Sequence, residues 1–100
     1  MKNVSDAREA FGVLETGGTA QTAAMRLKRG EESGPLGNEH AQSVQVLLVV
    51  RGAVTATVGD KTFRMGPGDS VVVEKGVAHR FVGASDEDAV TFNVYSPPAY

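Results

Sequence analysis

Cysteine is absent from this 100-residue chain, and that one absence removes disulfides, thiol catalysis and thiolate metal sites together. Tryptophan is absent too. No apolar run is long enough to span a bilayer, so a transmembrane reading has no segment to rest on. The first residues, MKNVSDAREAFG, carry acids and have no apolar stretch of the kind a secretory leader needs. Charge of either sign is not in excess: ten Lys and Arg against twelve Asp and Glu leave a net −2, which is no electrostatic footprint for nucleic acid. The one basic cluster, Arg26, Lys28 and Arg29, is followed directly by Glu31 and Glu32 and reads as a solvated strand end. Cytoplasmic residence, with no nucleic-acid and no membrane partner, is the expectation these absences leave.

Glycine, with twelve residues, is what the chain has in quantity, and it punctuates short segments rich in Val, Thr and Phe. Such segments spaced about 8–12 residues apart are the signature of an all-β sandwich or barrel. The predicted strands are 9–15, 20–28, 43–51, 53–58, 61–65, 70–74, 79–84 and 88–96. Gly59-Asp60 supplies a two-residue hairpin between two of them. Pro67 followed by Gly68 has the chemistry of a type II turn. Ser5 to Ala10 could close a single helical turn with Ser5 as cap. A chain of this length makes one domain, 1–100, with an independent core.

The run Val46-Leu47-Leu48-Val49-Val50 is apolar at every position, which predicts a strand buried on both faces. Gln45 opens it, and a buried side-chain amide left unpaired costs about 1–3 kcal/mol. The only two histidines, His40 and His79, stand in related surroundings. His40 is followed after four residues by Gln45, and Gln45 after six by Gly52. Gly68 is followed by Gly76 and then, three positions on, by His79.

This spacing resembles the two motifs of the cupin superfamily, with GDSVVVEKGVAHRFVG the stronger half. The resemblance spans 30–83, a little over half the chain, and departs at Glu74, where the motif has proline, and at Gly83, where it has asparagine. SVQVLLVVRG and VYSPPAY are similar to a group of small cupins with glutamine in place of the motif glutamate. The resemblance implies an all-β double-stranded β-helix, or jelly-roll barrel, with a metal inside. Carried over by position, its ligands are Asn38, His40, Gln45 and His79. Imidazole and amide donors suit a divalent transition metal, Mn, Fe, Ni, Zn or Cu, held more weakly than by a carboxylate. Glu39 is a candidate anion, although on an extended strand it points away from Asn38 and His40 and needs a bulge to turn inward. Phe81, two residues from His79, should share its face, and Phe92 or Tyr95 should close the pocket.

The implied function is a metal-dependent enzyme on a small organic molecule, of oxygenase, isomerase or decarboxylase type. The alternative is a non-catalytic small-molecule binding or sensing barrel with a metal-free pocket. Both alternating sets of the 46–50 run are apolar, so a homodimer through an outer sheet face is expected, with 1–20 and 88–100 at the contact.

Overall fold

The computed structural model describes residues 1–34, 37 and 41–100. Among these residues eight antiparallel strands form two sheets: β1 Phe11–Thr16, β2 Gln21–Leu27, β3 Val44–Arg51, β4 Val54–Val58, β5 Lys61–Met65, β6 Ser70–Val73, β7 His79–Gly83 and β8 Ala89–Ser96. The larger sheet has the order β1-β2-β8-β3-β6 and the smaller β5-β4-β7. All eight predicted strands are present, each within two residues of its expected ends. The architecture is the expected all-β double-stranded β-helix.

The turns form for the reasons the residues suggested. The Gly59-Asp60 pair closes a hairpin in which Val58 faces Lys61. At the next turn the Asp69 amide donates to the Gly66 carbonyl at 3.0 Å, with Gly68 at φ +90°, where a side chain would be strained. The helical turn at the N-terminus differs from expectation: it covers only Val4–Asp6, and its cap is Asn3 rather than Ser5. Asn3 Oδ1 accepts from the Ser5 amide at 2.9 Å, so the asparagine two residues earlier takes the capping role.

Gly83 stands where the second motif has asparagine because another segment crosses it. Its amide donates to the Glu31 carbonyl at 2.9 Å and its carbonyl accepts from Gly30 at 2.8 Å. A Cβ there would lie 2.1 Å from the Lys28 carbonyl oxygen, so no side chain fits. This crossing ties the end of β7 to the chain leaving β2.

The core lies between the sheets and contains Met25, Leu27, Leu47, Val49, Val54, Met65, Val73 and Phe81. One expectation needs correcting. The 46–50 run is not buried on both faces within the protomer: Leu47 and Val49 are fully buried, whereas Val46 is 37% and Val50 43% exposed. The strand has one covered face, and its second apolar set points outward with Val72 of β6. The basic cluster lies at the surface, with Lys28 and Arg29 exposed as expected; Arg29 pairs with the exposed Asp86 and the partly buried Arg26 with Asp88 at 3.0 Å.

Candidate functional site within the barrel

Gln45 alternates with Leu47 and Val49 on the inward face of β3 and is 2% exposed. Its Oε1 is buried and has no hydrogen-bond partner among the described residues. In register beside it across the sheet lie Tyr95 on β8 and Val73 on β6. Two-residue periodicity then carries the interior face of β8 from Tyr95 through Asn93 to Thr91. These three are linked in order: Thr91 Oγ1 donates to Asn93 Oδ1 at 2.9 Å, and Asn93 Nδ2 donates to the Tyr95 hydroxyl at 3.2 Å. The threonine donor fixes which end of the Asn93 amide is the acceptor, and hence that its nitrogen faces the phenol.

From the opposite sheet, Phe81 is fully buried and His79, two residues before it, shares its face. The His79 and Phe81 rings are 6.1 Å apart. His79 Nδ1 lies 2.8 Å from the Val77 carbonyl oxygen. A carbonyl only accepts, so Nδ1 carries the proton, and in the neutral ring Nε2 holds the lone pair. Gln45 faces the last residue of β6, and His79 begins β7 just after the connecting turn, so both stand at the same end of the barrel. Gly37, the residue before Asn38 in the chain, exchanges backbone hydrogen bonds with His79 at 2.8 and 3.4 Å.

Of the residues expected from sequence, Gln45, His79, Phe81 and Tyr95 thus face the interior. Asn38, Glu39 and His40 lie outside the described residues. Phe92 is a correction. It alternates with the buried Thr91 and Asn93, pairs with Leu48 and Ala24, and therefore sits on the outer face of the larger sheet, not in the pocket. The parity of β8 is the reason: its apolar set, Phe92 and Val94, points out, and its polar set points in.

Sequence reasoning passed over Thr91, Asn93 and Gln21. Gln21 is 1% exposed and flanks Tyr95 on the side opposite Gln45. Its Nε2 donates to Thr16 Oγ1 and to the Tyr100 carbonyl, both at 2.8 Å, while its Oε1 accepts from the Ala99 and Tyr100 amides at 3.1 and 2.9 Å. Tyr100 is held so that its ring meets Phe11 at 4.6 Å and Tyr95 at 5.2 Å. The buried polar side chains among the described residues are Gln21, Ser43, Gln45, Thr91 and Asn93, all uncharged. A separate groove of about 500 Å³ between the N-terminal turn and β1, bordered by Lys2, Asp6, Arg8 and Glu9, includes none of these residues.

The fold that positions these residues is that of a known family. Residues 23–95 match the family model of the cupin domain. The chain belongs to the cupin family. An uncharacterized protein of Streptomyces coelicolor is 44% identical over 59 residues, 59% of this cupin and 54% of that protein. The match thus spans about half the length of that relative. A Bacillus halodurans crystal structure superposes with a TM-score of 0.87 at 19% identity, covering 97% of this chain and 76% of the other. A Silicibacter pomeroyi cupin described as a sugar phosphate isomerase superposes at 0.73 with 23% identity, covering 87% and 59% respectively. At these identities the likeness to solved structures carries the fold.

Proposed function

We propose that this cupin holds a divalent transition metal in the barrel through Gln45 and His79, with His40 and Asn38 completing the donor set, and handles a small organic molecule beside it. The observation that carries the reading is the Gln45 Oε1 atom, a buried carbonyl acceptor with no hydrogen bond among the described residues, at the end of the barrel where His79 also enters. Amide oxygens are accepted ligands for hard and borderline cations. The Val77 carbonyl under His79 Nδ1 supports it, because a backbone acceptor on one ring nitrogen orients the other as a ligand. A metal there, Mn, Fe, Ni, Zn or Cu, would supply Lewis acidity.

The chain's own residues do the rest. Phe81, Leu47 and Val73 give the interior an apolar wall that excludes water, and the Thr91–Asn93–Tyr95 chain holds the phenol in place. The sugar phosphate isomerase named among the structural neighbours makes isomerisation one reaction to screen, beside oxygenase and decarboxylase chemistry. A second reading is a metal-free binding or sensing pocket in which Gln45 Oε1 accepts from an organic ligand; the uncharged polar interior favours it. Elemental mass spectrometry on protein purified without chelator separates the two. Near-stoichiometric metal that disappears in a His40→Ala, His79→Ala variant supports the first; a wild type that neither carries nor takes up metal moves the assignment to the second.

The proposal includes a homodimer and cytoplasmic residence. Val46, Val50 and Val72 on the outer face of the larger sheet are 37%, 43% and 52% exposed, and they border the half-buried Leu48, Phe92 and Val94. A contiguous apolar face of this kind suits a two-fold contact. Light scattering at micromolar concentration should give twice the chain mass, and a monomer would contradict it. Among the described residues no helix is long and apolar enough to cross a membrane.

A further inference from the structure

We infer that residues 97–100, which follow β8, are a strap across the end of the barrel where Gln45 and His79 stand, and that its opening sets how fast a molecule reaches them. The inference rests on the reading of those two residues as the site and adds the control of access to it. At that end β8 finishes at Ser96, while β2 begins at Gln21, β3 at Val44 and β7 at His79. β2 and β3 flank β8 in the sheet, and the residues after β8 cross from one neighbour to the other. On the β3 side Ser43 Oγ donates to the Pro97 carbonyl at 2.7 Å. On the β2 side Gln21 holds the Ala99 and Tyr100 amides at 3.1 and 2.9 Å and the Tyr100 carbonyl at 2.8 Å.

The attachment is by side chains. Among the described residues, 97–99 make no backbone–backbone hydrogen bond, and Ser43 and Gln21, both buried, meet their main-chain groups instead. These bonds can break together while the ladders of β2, β3 and β8 stay whole, which is the condition for opening at a free energy below that of global unfolding. The strap also shields what lies under it. Tyr95 is 2% exposed although it is the last inward residue of β8, whereas Tyr100, whose ring meets it at 5.2 Å, is 54% exposed. Tyr100 is thus the outer layer and Tyr95 the inner. Tyr95 stands in register between Gln21, which holds the strap, and Gln45. Lifting 97–100 therefore uncovers Tyr95 and the row that contains Gln45.

Hydrogen exchange followed by NMR on the metal-free full chain tests this. The Ala99 backbone amide reports the strap, the Gln45 side-chain amide reports access to the interior, and the Leu47 backbone amide in the core of β3 reports global opening. In the wild type, protection at Ala99 should be at least about tenfold lower than at Leu47. Two variants loosen the strap from different sides: Ser43→Ala frees the Pro97 carbonyl, and Tyr100→Ala removes the covering ring. In each, exchange at Ala99 and at the Gln45 side chain should quicken together by about fivefold, the equilibrium effect of one ordinary hydrogen bond, with Leu47 unchanged. Acceleration at Ala99 alone overturns the inference, because entry then takes another route. Acceleration of all three overturns it too, since 97–100 would then open only with the whole domain. On the Co(II)-loaded chain, removal of cobalt by excess EDTA should quicken by the same factor, while cobalt affinity stays within about twofold because the strap favours neither state of the site. An unchanged removal rate contradicts the inference. A chain that takes up no cobalt sinks the metal reading and leaves the exchange result to decide the strap.

Discussion

Two buried glutamines flank Tyr95 in one row across the larger sheet, and they are opposites. Gln21, on β2, makes hydrogen bonds through both ends of its amide, four in all, to Thr16, Ala99 and Tyr100. Gln45, on β3, is equally buried and its Oε1 makes none among the described residues. The same side chain thus serves as a staple on one side and as an unspent acceptor on the other. A buried acceptor without a partner is a standing cost that folding alone does not explain. His79 enters at the same end of the barrel, and the proposed function supplies an explanation: the atom is kept for something that binds.

If that contrast is right, the largest effect belongs to the staple. Gln21→Leu strands two amide donors and a carbonyl of the C-terminal segment, and stability should fall by about 3 kcal/mol. The melting temperature should drop by at least about 10 °C for a domain this small. A change under about 1 kcal/mol in chemical denaturation would mean that Gln21 holds nothing important.

Asn93 sharpens the comparison from between the two. Asn93→Leu removes a fully buried amide that accepts from Thr91 and donates to Tyr95, and should cost about 2 kcal/mol. Its effect on metal content should be small, because Asn93 acts on the position of the phenol. Loss of bound metal equal to that of a His79→Ala variant would instead make it part of the donor set.

The smallest stability effect should come from Gln45 itself. Leucine matches glutamine in bulk, and replacing an unpartnered acceptor by an apolar group is neutral or favourable, so Gln45→Leu should lie within about 1 kcal/mol of the wild type without metal. Its consequence should be confined to binding.

The strands and turns were legible because their signals are local. GDSVVVEKGVAHRFVG contains its own turn residues and spacing, and Gly59-Asp60 leaves few alternatives to a hairpin. The outward direction of Phe92 was not legible. In VTFNVYS the natural reading points the apolar residues inward, but this sheet has an apolar outer face and a polar interior row, so parity reverses. Val46 and Val50 misled for the same reason, since an unbroken apolar run does not say which face a neighbour covers. Gln21 gave no signal because its partners, Ala99 and Tyr100, lie at the other end of the chain. The motif positions were readable by spacing, and at two of them the physics explains the departure. Gly83 replaces asparagine because the Lys28 carbonyl crosses it, and Gln45 keeps the carbonyl of the motif glutamate without its charge.

The central claim is that Gln45 is kept for binding rather than for folding. Thermal denaturation of the wild type, Gln21→Leu and Gln45→Leu, each with and without excess Co(II), tests it directly. A ligand that binds only the folded state raises the melting temperature by mass action, by an amount set by its concentration over its dissociation constant. The account predicts a cobalt-dependent rise in the wild type and in Gln21→Leu, which starts from a lower baseline. It predicts none in Gln45→Leu, whose metal-free baseline stays at or above that of the wild type. A Gln45→Leu protein destabilised as much as Gln21→Leu, and stabilised by cobalt as well as the wild type, would contradict it.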